Sequence, residues 1–358
     1  MSLGGGETYA LHLANEMKRQ GIAVTLLDFR MGEYHTEIKR LLSPNVPCVE
    51  IKNLDYLYQV ITQLDGEIIH SHHACVDEAV SDWIMDTPLR DKCHQVITLH
   101  GMYETINKED CLRVVSKVTR SCNKFIYIAD KNLNPFIDCN LFDRDSFIKL
   151  DNGLPEVEIN PVDRSQWNIG SDDFVVCLAS RGIPEKGWYE AIEAVNRVNS
   201  TRANKIHLMI LGDGVMRGKL EKYAPDYIHF TGLVSNVRDY FAMSDIGLLP
   251  SWFQGESYPL VIIECFQARK PMIATNIGEV KNQLMDENGE LAGILIPLNN
   301  GILDIQDLAD AIELAATDTA YYQSIKERVA SAKKKFNIEK IAGYYVDVYR
   351  EVREVEGK

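Results

Sequence analysis

The sequence predicts an α/β protein of two doubly wound domains in tandem, each a parallel sheet covered by helices, facing a central cleft. With 358 residues the chain is long for one domain and ample for two. Short β-branched runs alternate with helical patterns from end to end, as in parallel sheets packed under helices. The alternation breaks once, at the polar, turn-rich stretch 151–170, and then begins again.

In the first half, strands are expected at 22–28, 67–71, 95–99, 125–129 and 146–150. Helical patterns lie between them at 9–19, 54–64, 74–85 and 108–121; in the first, Ala10, Leu13 and Met17 share a face. The turn Asp151-Asn152-Gly153-Leu154-Pro155 opens the hinge, so the N-terminal domain is placed at 1–160. A C-terminal domain at 161–335 carries strands at 174–179, 206–211, 228–231, 246–250, 271–274 and 293–296, with a helix at 185–198. The segment 336–358 reads as a terminal helix with an apolar stripe through Ile341, Tyr345, Val348 and Tyr349.

Composition narrows the function classes. A formal charge of −14 argues against a general nucleic-acid binder, whose affinity rests on neutralising phosphates. It leaves room for a basic pocket around one diphosphate, and for a local patch that touches a membrane. The first half is net acidic, so no broad electrostatic docking face for membranes is expected. No stretch approaches the roughly 20 apolar residues of a membrane span, and no secretory leader is recognisable. The eight cysteines include no C-x-x-C pair and no zinc spacing, so they read as reduced thiols of a cytoplasmic protein.

In doubly wound sheets, ligands bind outside the carboxyl ends of the strands. Four loops there are unusual. The first runs Gly255-Glu256-Ser257-Tyr258-Pro259-Leu260 and enters an apolar helix that contains Glu264. The open N–H groups of a helix start form an anion site, Glu256 stands beside it, and Glu264 could accept bonds from vicinal hydroxyls. By spacing alone, a capped core helix with two solvated glutamates explains this pair equally well.

The second loop, Ser180 to Gly187, offers Arg181 and Lys186 with glycines that let backbone approach a ligand. This pair suits a diphosphate leaving group whose charge must be stabilised during bond cleavage. No acidic cluster has magnesium spacing, so no metal cofactor is expected. The third is Gly4-Gly5-Gly6-Glu7-Thr8 at the start of the first helix, a phosphate-cradling composition without the full dinucleotide pattern. A flexible chain end explains it as well. The fourth is Thr98-Leu99-His100-Gly101, where a histidine at a sheet edge can donate to a substrate hydroxyl. A lone histidine there is more often structural. His70, His72 and His73 hold a similar position after their strand, without a carboxylate or cysteine at metal-binding spacing.

Taken in order, these pieces resemble the family-4 retaining glycosyltransferases of the GT-B fold, along nearly the whole chain. They are Gly-Gly-Gly-Glu, Thr-Leu-His-Gly, Leu-Asp-Asn-Gly-Leu, Arg181…Lys186-Gly187, Leu211-Gly212-Asp213-Gly214, Gly232-Leu233, Pro250-Ser251, the E-x7-E segment and Pro271 to Thr275. The resemblance implies two Rossmann-like domains and a nucleotide-diphosphate sugar as donor. Arg181 and Lys186 would hold the diphosphate and Glu264 the ribose. Glu256, with Ser257, Tyr258, Pro259 and Leu260, would contact the transferred sugar and distal phosphate. Gly5 and Gly6 would close over the phosphates, His100 would contact the sugar, and the base would rest before the helix of Val237. The terminal helix would cross back to the first domain.

The resemblance also implies no catalytic metal, an acceptor hydroxyl of unknown identity on a glycan, lipid-linked or other molecule, and retention by same-face attack. Under that mechanism Glu256 positions and stabilises; the competing view makes it a nucleophile. The alternatives are a sugar-nucleotide epimerase of the same fold, or a partner subunit that has lost its chemistry. One departure stands out. The family places a strand before the Gly-Gly loop, where this sequence shows only Met1-Ser2-Leu3. Those residues read as a tag remnant or trimmed start, so the first sheet is expected to lack that strand or take it from elsewhere.

Overall fold

A computed structural model describes residues 4–29, 36–64, 66–88 and 92–354. The chain forms two compact units: Met1–Pro155 with Phe336–Lys358, and Glu156–Lys335. The boundary falls between Pro155 and Glu156, within the expected hinge stretch 151–170 and five residues before the domain limit expected at 160.

In the first unit, α1 (Gly5–Arg19) starts behind an extended Gly4, with Glu7 in its first turn and Lys18 and Arg19 in its last. That charge order complements the helix dipole. Its buried face carries Tyr9, Leu13 and Met17, spaced by one helical turn. β1 (Leu26–Phe29) and β2 (Cys48–Ile51) then form a parallel pair. The strand expected at 22–28 therefore starts late, where Leu26 N–H reaches Pro47 O at 2.8 Å. β2 was not expected at all: it is short, follows Pro47 and carries an outward Glu50. Next come α2 (Leu54–Leu64), β3 (Ile68–Ser71), α3 (Ala74–Asp86), β4 (His94–Leu99), α4 (Lys108–Ser121), β5 (Cys122–Tyr127), α5 (Asn134–Asp138) and β6 (Phe147–Lys149). Strands β3 to β6 make a separate four-stranded parallel sheet in sequence order. All six residues of β4 are buried, as expected of a strand covered on both faces.

Leu27 and Phe29 of β1 and Ile69 of β3 pack on one shared cluster that includes Leu57, Ile61 and Val80. The two sheets thus lean on the same helical layer. The expectation of a missing strand before Gly4 falls on residues 1–3, outside the described residues. His70 lies within β3 rather than after it.

The second unit holds one six-stranded sheet, entirely parallel. Its elements are β7 (Val175–Ala179), α6 (Trp188–Asn199), β8 (His207–Leu211), α7 (Arg217–Glu221), β9 (Ile228–Gly232), α8 (Val237–Met243), β10 (Ile246–Leu249), α9 (Leu260–Gln267), β11 (Met272–Thr275), α10 (Val280–Leu284) and β12 (Gly293–Ile296). A hairpin of β13 (Leu298–Asn299) and β14 (Ile302–Leu303) precedes α11 (Ile305–Thr317) and α12 (Thr319–Ala332). The strand order is β12-β11-β10-β7-β8-β9. The chain winds outward from β7 in one direction, returns to the centre, and winds outward from β10 in the other. Adjacent β7 and β10 therefore flank the topological switch point, where such sheets bind ligands. Side chains alternate along the strands: Val176, Leu178, Ile246 and Leu248 join the cluster under α6 and α11. On the other face, Gly247 lets Cys265 of α9 approach; a Cβ there would stand 2.6 Å from its Sγ.

The last helix, α13 (Ile338–Glu354), belongs to the first unit. Leu154 bridges to Asn337, and Tyr345 is fully buried.

Gly187 fixes the entry to α6 with φ +73°, and a Cβ there would stand 2.2 Å from Pro250 O. Gly187→Ala is expected to destabilise the second unit by about 2 kcal/mol or more, through left-handed strain and a backbone clash. Guanidinium unfolding followed by tryptophan fluorescence checks this; an unchanged midpoint would contradict the packing described here.

Candidate active site

The loops leaving β7 and β10 converge at the switch point. The first, carrying Arg181 and Gly182, is pinned to the turn after β8. Ser180 N–H donates to Leu211 O at 3.0 Å and Gly182 N–H to Asp213 O at 2.8 Å. Gly212 and Gly214 have φ of 129° and 154°, and a Cβ on Gly212 would lie 2.0 Å from Ser180 O, so only glycine permits this approach. Trp188 is fully buried behind the loop and its indole N–H donates to Ser180 Oγ at 2.9 Å. Residues Pro184–Lys186 make a 3-10 turn that ends at Gly187 and turns Lys186 inward.

Lys186 is buried and ion-paired with Glu256 Oε2. Ser251 Oγ donates to the same oxygen at 2.9 Å. The Phe253 ring lies beneath both cations of the loop, 5.0 Å from Lys186 Nζ and 5.8 Å from Arg181 Cζ. Arg181 is exposed. One cation is thus fixed against a carboxylate, while the other faces solvent with room to engage an anion.

The loop from Glu256 to Pro259 is held from below. Gly278, at φ +54°, passes so close that a Cβ would be 2.5 Å from both Glu256 O and Ser257 O, and Glu279 N–H donates to Ser257 O at 2.8 Å. Ser257 and Tyr258 are buried. Pro259 caps α9 with φ −62° and extended ψ, and Leu260 begins the helix. Ile262 N–H reaches back to Pro259 O at 3.3 Å, while the N–H groups of the two residues before it, like those of any helix start, have no partner within the helix.

Glu264 lies one turn further in. Burial raises its pKa, while the guanidinium of Arg238 pulls it back. Arg238 Nη1 stands 3.9 Å from Glu264 Oε1, and its Nε donates to Gln267 Oε1 at 2.6 Å. Its Nη2 is buried without a hydrogen-bond partner. Arg238 directly follows Val237, which opens α8, so α8 and α9 meet through this polar group. Sequence reasoning missed Arg238, Ser251 and Phe253 as site residues. Their positions next to Val237, after Pro250 and before Gly255 were the available signals.

The remaining predicted residues gather in the first unit. A Cβ on Gly6 would come within 3.3 Å of His100 Cγ, so the start of α1 lies against the histidine that follows β4. Tyr9 meets the His100 ring edge-on at 5.9 Å. His72 Nδ1 and His100 Nε2 share a hydrogen bond of 3.0 Å. His70 bridges Tyr349 Oη at 2.6 Å and Thr98 Oγ1 at 2.7 Å. Burial, reinforced by the neighbouring imidazoles, lowers the pKa of all three, with His70 brought to about 3. They are neutral hydrogen-bonding groups at ordinary pH. Among the described residues no cluster of His, Cys, Asp or Glu could hold a metal ion.

Two parallel α/β units, with a cation loop and a glutamate loop at one switch point, define a glycosyltransferase of the GT-B fold. Residues 173–318 match the family described as Glycosyl transferases group 1, and residues 3–139 match Glycosyltransferase Family 4. The chain belongs to this glycosyltransferase family. An uncharacterised glycosyltransferase of Methanocaldococcus jannaschii is 25% identical over 97% of this chain and 95% of its own length. Alpha-D-kanosaminyltransferase of Streptomyces kanamyceticus is 27% identical over 51% of this chain and 47% of its own. Among solved structures, Anabaena HepE in complex with UDP superposes with a TM-score of 0.81 at 17% identity, over 98% of this chain and 97% of that one. Sucrose-phosphate synthase of Thermosynechococcus elongatus gives 0.77 at 17% identity, over 98% and 94%. At these identities the structural likeness is one of fold.

A pH dependence follows from His70. Its folded pKa of about 3 lies below the ordinary value near 6.5, so the unfolded chain binds the extra proton between those limits. The stability tied to neutral His70 is complete above pH 6.5 and declines as pH falls towards 3. Between pH 7 and 5, wild type should lose about 2 kcal/mol more than His70→Gln, measured by urea unfolding of both proteins. Parallel profiles would refute the buried neutral state.

Proposed function

We propose that this glycosyltransferase moves a sugar from a nucleoside diphosphate donor to an acceptor hydroxyl, with retention of anomeric configuration and without a metal cofactor. The observation that carries this reading is the convergence of Arg181, Lys186 and Glu256 with the α9 start at the β7–β10 switch point.

Cleavage of the donor's glycosidic bond leaves negative charge on the distal phosphate. The exposed Arg181 fork and the Lys186 ammonium supply fixed positive charge there, and the first-turn N–H groups of α9 supply oriented dipoles. This is the role a divalent cation plays in other sites. Glu256 is held by Lys186 and Ser251 in one orientation, which suits a group that positions the sugar and steadies positive charge at its reacting carbon. The acceptor hydroxyl attacks from the face the diphosphate leaves, and the departing phosphate oxygen takes its proton. The C–O bond to phosphate breaks as the C–O bond to the acceptor forms. No sugar then becomes bonded to Glu256, and mass spectrometry of enzyme stalled with donor alone checks that outcome.

Glu264 is the group for the ribose hydroxyls and Arg238 fixes its orientation; the base rests at the α8 entry beside Val237. Gly6, in the first turn of α1, lies against neutral His100, the group this reading assigns to a sugar hydroxyl. HepE, whose structures hold UDP and UDP-glucose, favours a uridine donor as the first to test. The named relatives in lipopolysaccharide core and teichuronic acid biosynthesis favour a glycan or lipid-linked acceptor. None of the eight cysteines is in a disulfide, which favours a reducing, cytoplasmic setting. No helix among the described residues is long and apolar enough to cross a membrane.

UDP should raise the thermal midpoint of wild type, and Lys186→Ala or Glu264→Ala should abolish the shift. With a competent donor and acceptor, Lys186→Ala should lower kcat by roughly 100- to 1,000-fold. Chelator should leave turnover unchanged. A nucleotide shift that persists in both variants would remove the site assignment.

A further inference from the structure

Two imidazoles meet at the carboxyl edge of the four-stranded sheet in the first unit. β3 and β4 are parallel neighbours with Ser71 opposite Ile97, so the residues that follow each strand leave the sheet side by side. His72 has little freedom there. It stands alone between the end of β3 at Ser71 and His73, the extended N-cap of α3, whose Nδ1 accepts from Cys75 N–H at 3.3 Å. His100 is bounded by the end of β4 and by Gly101, whose φ of +90° turns the chain away.

The rings are as constrained as the backbone. The ring of His70 lies 4.1 Å from that of His72, tilted by 38°. Both nitrogens of His70 are already engaged, Nδ1 with Tyr349 Oη and Nε2 with Thr98 Oγ1, so it serves His72 as a shelf. His72 Nδ1 meets His100 Nε2 at 3.0 Å, with the ring planes 27° apart, and Tyr9 closes on the His100 ring edge-on.

A neutral imidazole carries one proton, and the bond made by one nitrogen decides the role of the other. Burial, reinforced by neighbouring imidazoles, keeps both His72 and His100 neutral. Their contact therefore holds a single proton. When His72 Nδ1–H donates, His100 Nε2 accepts and the proton of His100 lies on Nδ1. When His100 Nε2–H donates, its Nδ1 has only a lone pair. In either case Nε2 is committed to His72, and Nδ1 is the nitrogen of His100 left for a ligand.

We propose that His72 is a positioning residue for sugar transfer: it donates from Nδ1 to His100 Nε2, fixes that ring, and keeps the His100 proton on Nδ1 for a sugar hydroxyl. The direction of donation rests on the reading of His100 as the donor to the sugar. The residue acts without touching substrate. It removes ring rotation and tautomer exchange from the cost of forming the sugar contact.

The test has a spectroscopic arm and a kinetic arm. Nitrogen NMR of histidine-labelled wild type, with the His100 signals identified by their loss in His100→Gln, should find His100 protonated on Nδ1 and bare on Nε2. With a competent donor and acceptor, His72→Leu should lower kcat/KM by roughly tenfold, the loss of one hydrogen bond. His72→Asn, whose amide nitrogen can donate from the place of Nδ1, should retain most of the activity. Both variants should keep the thermal shift with UDP. A His100 proton on Nε2, equal losses in the two variants, or no loss in His72→Leu would overturn the proposal. A wild type that neither transfers sugar nor responds to UDP would count against the transferase reading, and the nitrogen spectrum would still decide where the proton lies.

Discussion

The second unit is organised around the parallel contact between β7 and β10. These strands are neighbours in space but are separated in sequence by two complete strand–helix excursions. Their carboxyl ends release two loops side by side, and each loop carries charge that the other needs. Lys186 would be costly to bury alone, and so would Glu256; together with Ser251 each is satisfied. A buried pair of this kind contributes little net stability against an apolar substitute. Its effect is to fix where two functional groups stand relative to the phenyl shelf of Phe253.

The same constraint explains the glycines. The loop after β7 rests on the turn after β8, and the loop after β10 rests on the backbone at Gly278. At each of these two contacts backbone packs on backbone, leaving no volume for a Cβ at Gly212 or Gly278. Rigidity at the site thus comes from main chain packed on main chain, and side chains such as Trp188 fill only the space behind.

How much of this was legible in the sequence varies by element. The second sheet was readable because strands buried on both faces leave long apolar runs, as in Val175–Ala179 and His207–Leu211. The loop residues Arg181, Lys186 and Glu256 were readable because they interrupt those runs at the carboxyl ends. Strand β2 was not, since Pro47, Glu50 and only four residues give it the local character of a loop; its identity comes from pairing with β1. Arg238 was hidden for a related reason. An arginine in the first turn of a short helix looks like a surface charge until α9 is laid beside it, and only then does Glu264 become its neighbour.

The return of α13 to the first unit bears on how the protein is made. A ribosome releases the strands of that unit early, but Tyr345 and Tyr349, which pack against His70, follow only after the whole inner unit. The inner unit, Glu156–Lys335, is continuous in sequence, whereas the outer one is assembled from two segments. The outer unit is therefore discontinuous: its core, in which Tyr345 is fully buried, needs residues on both sides of the inner unit.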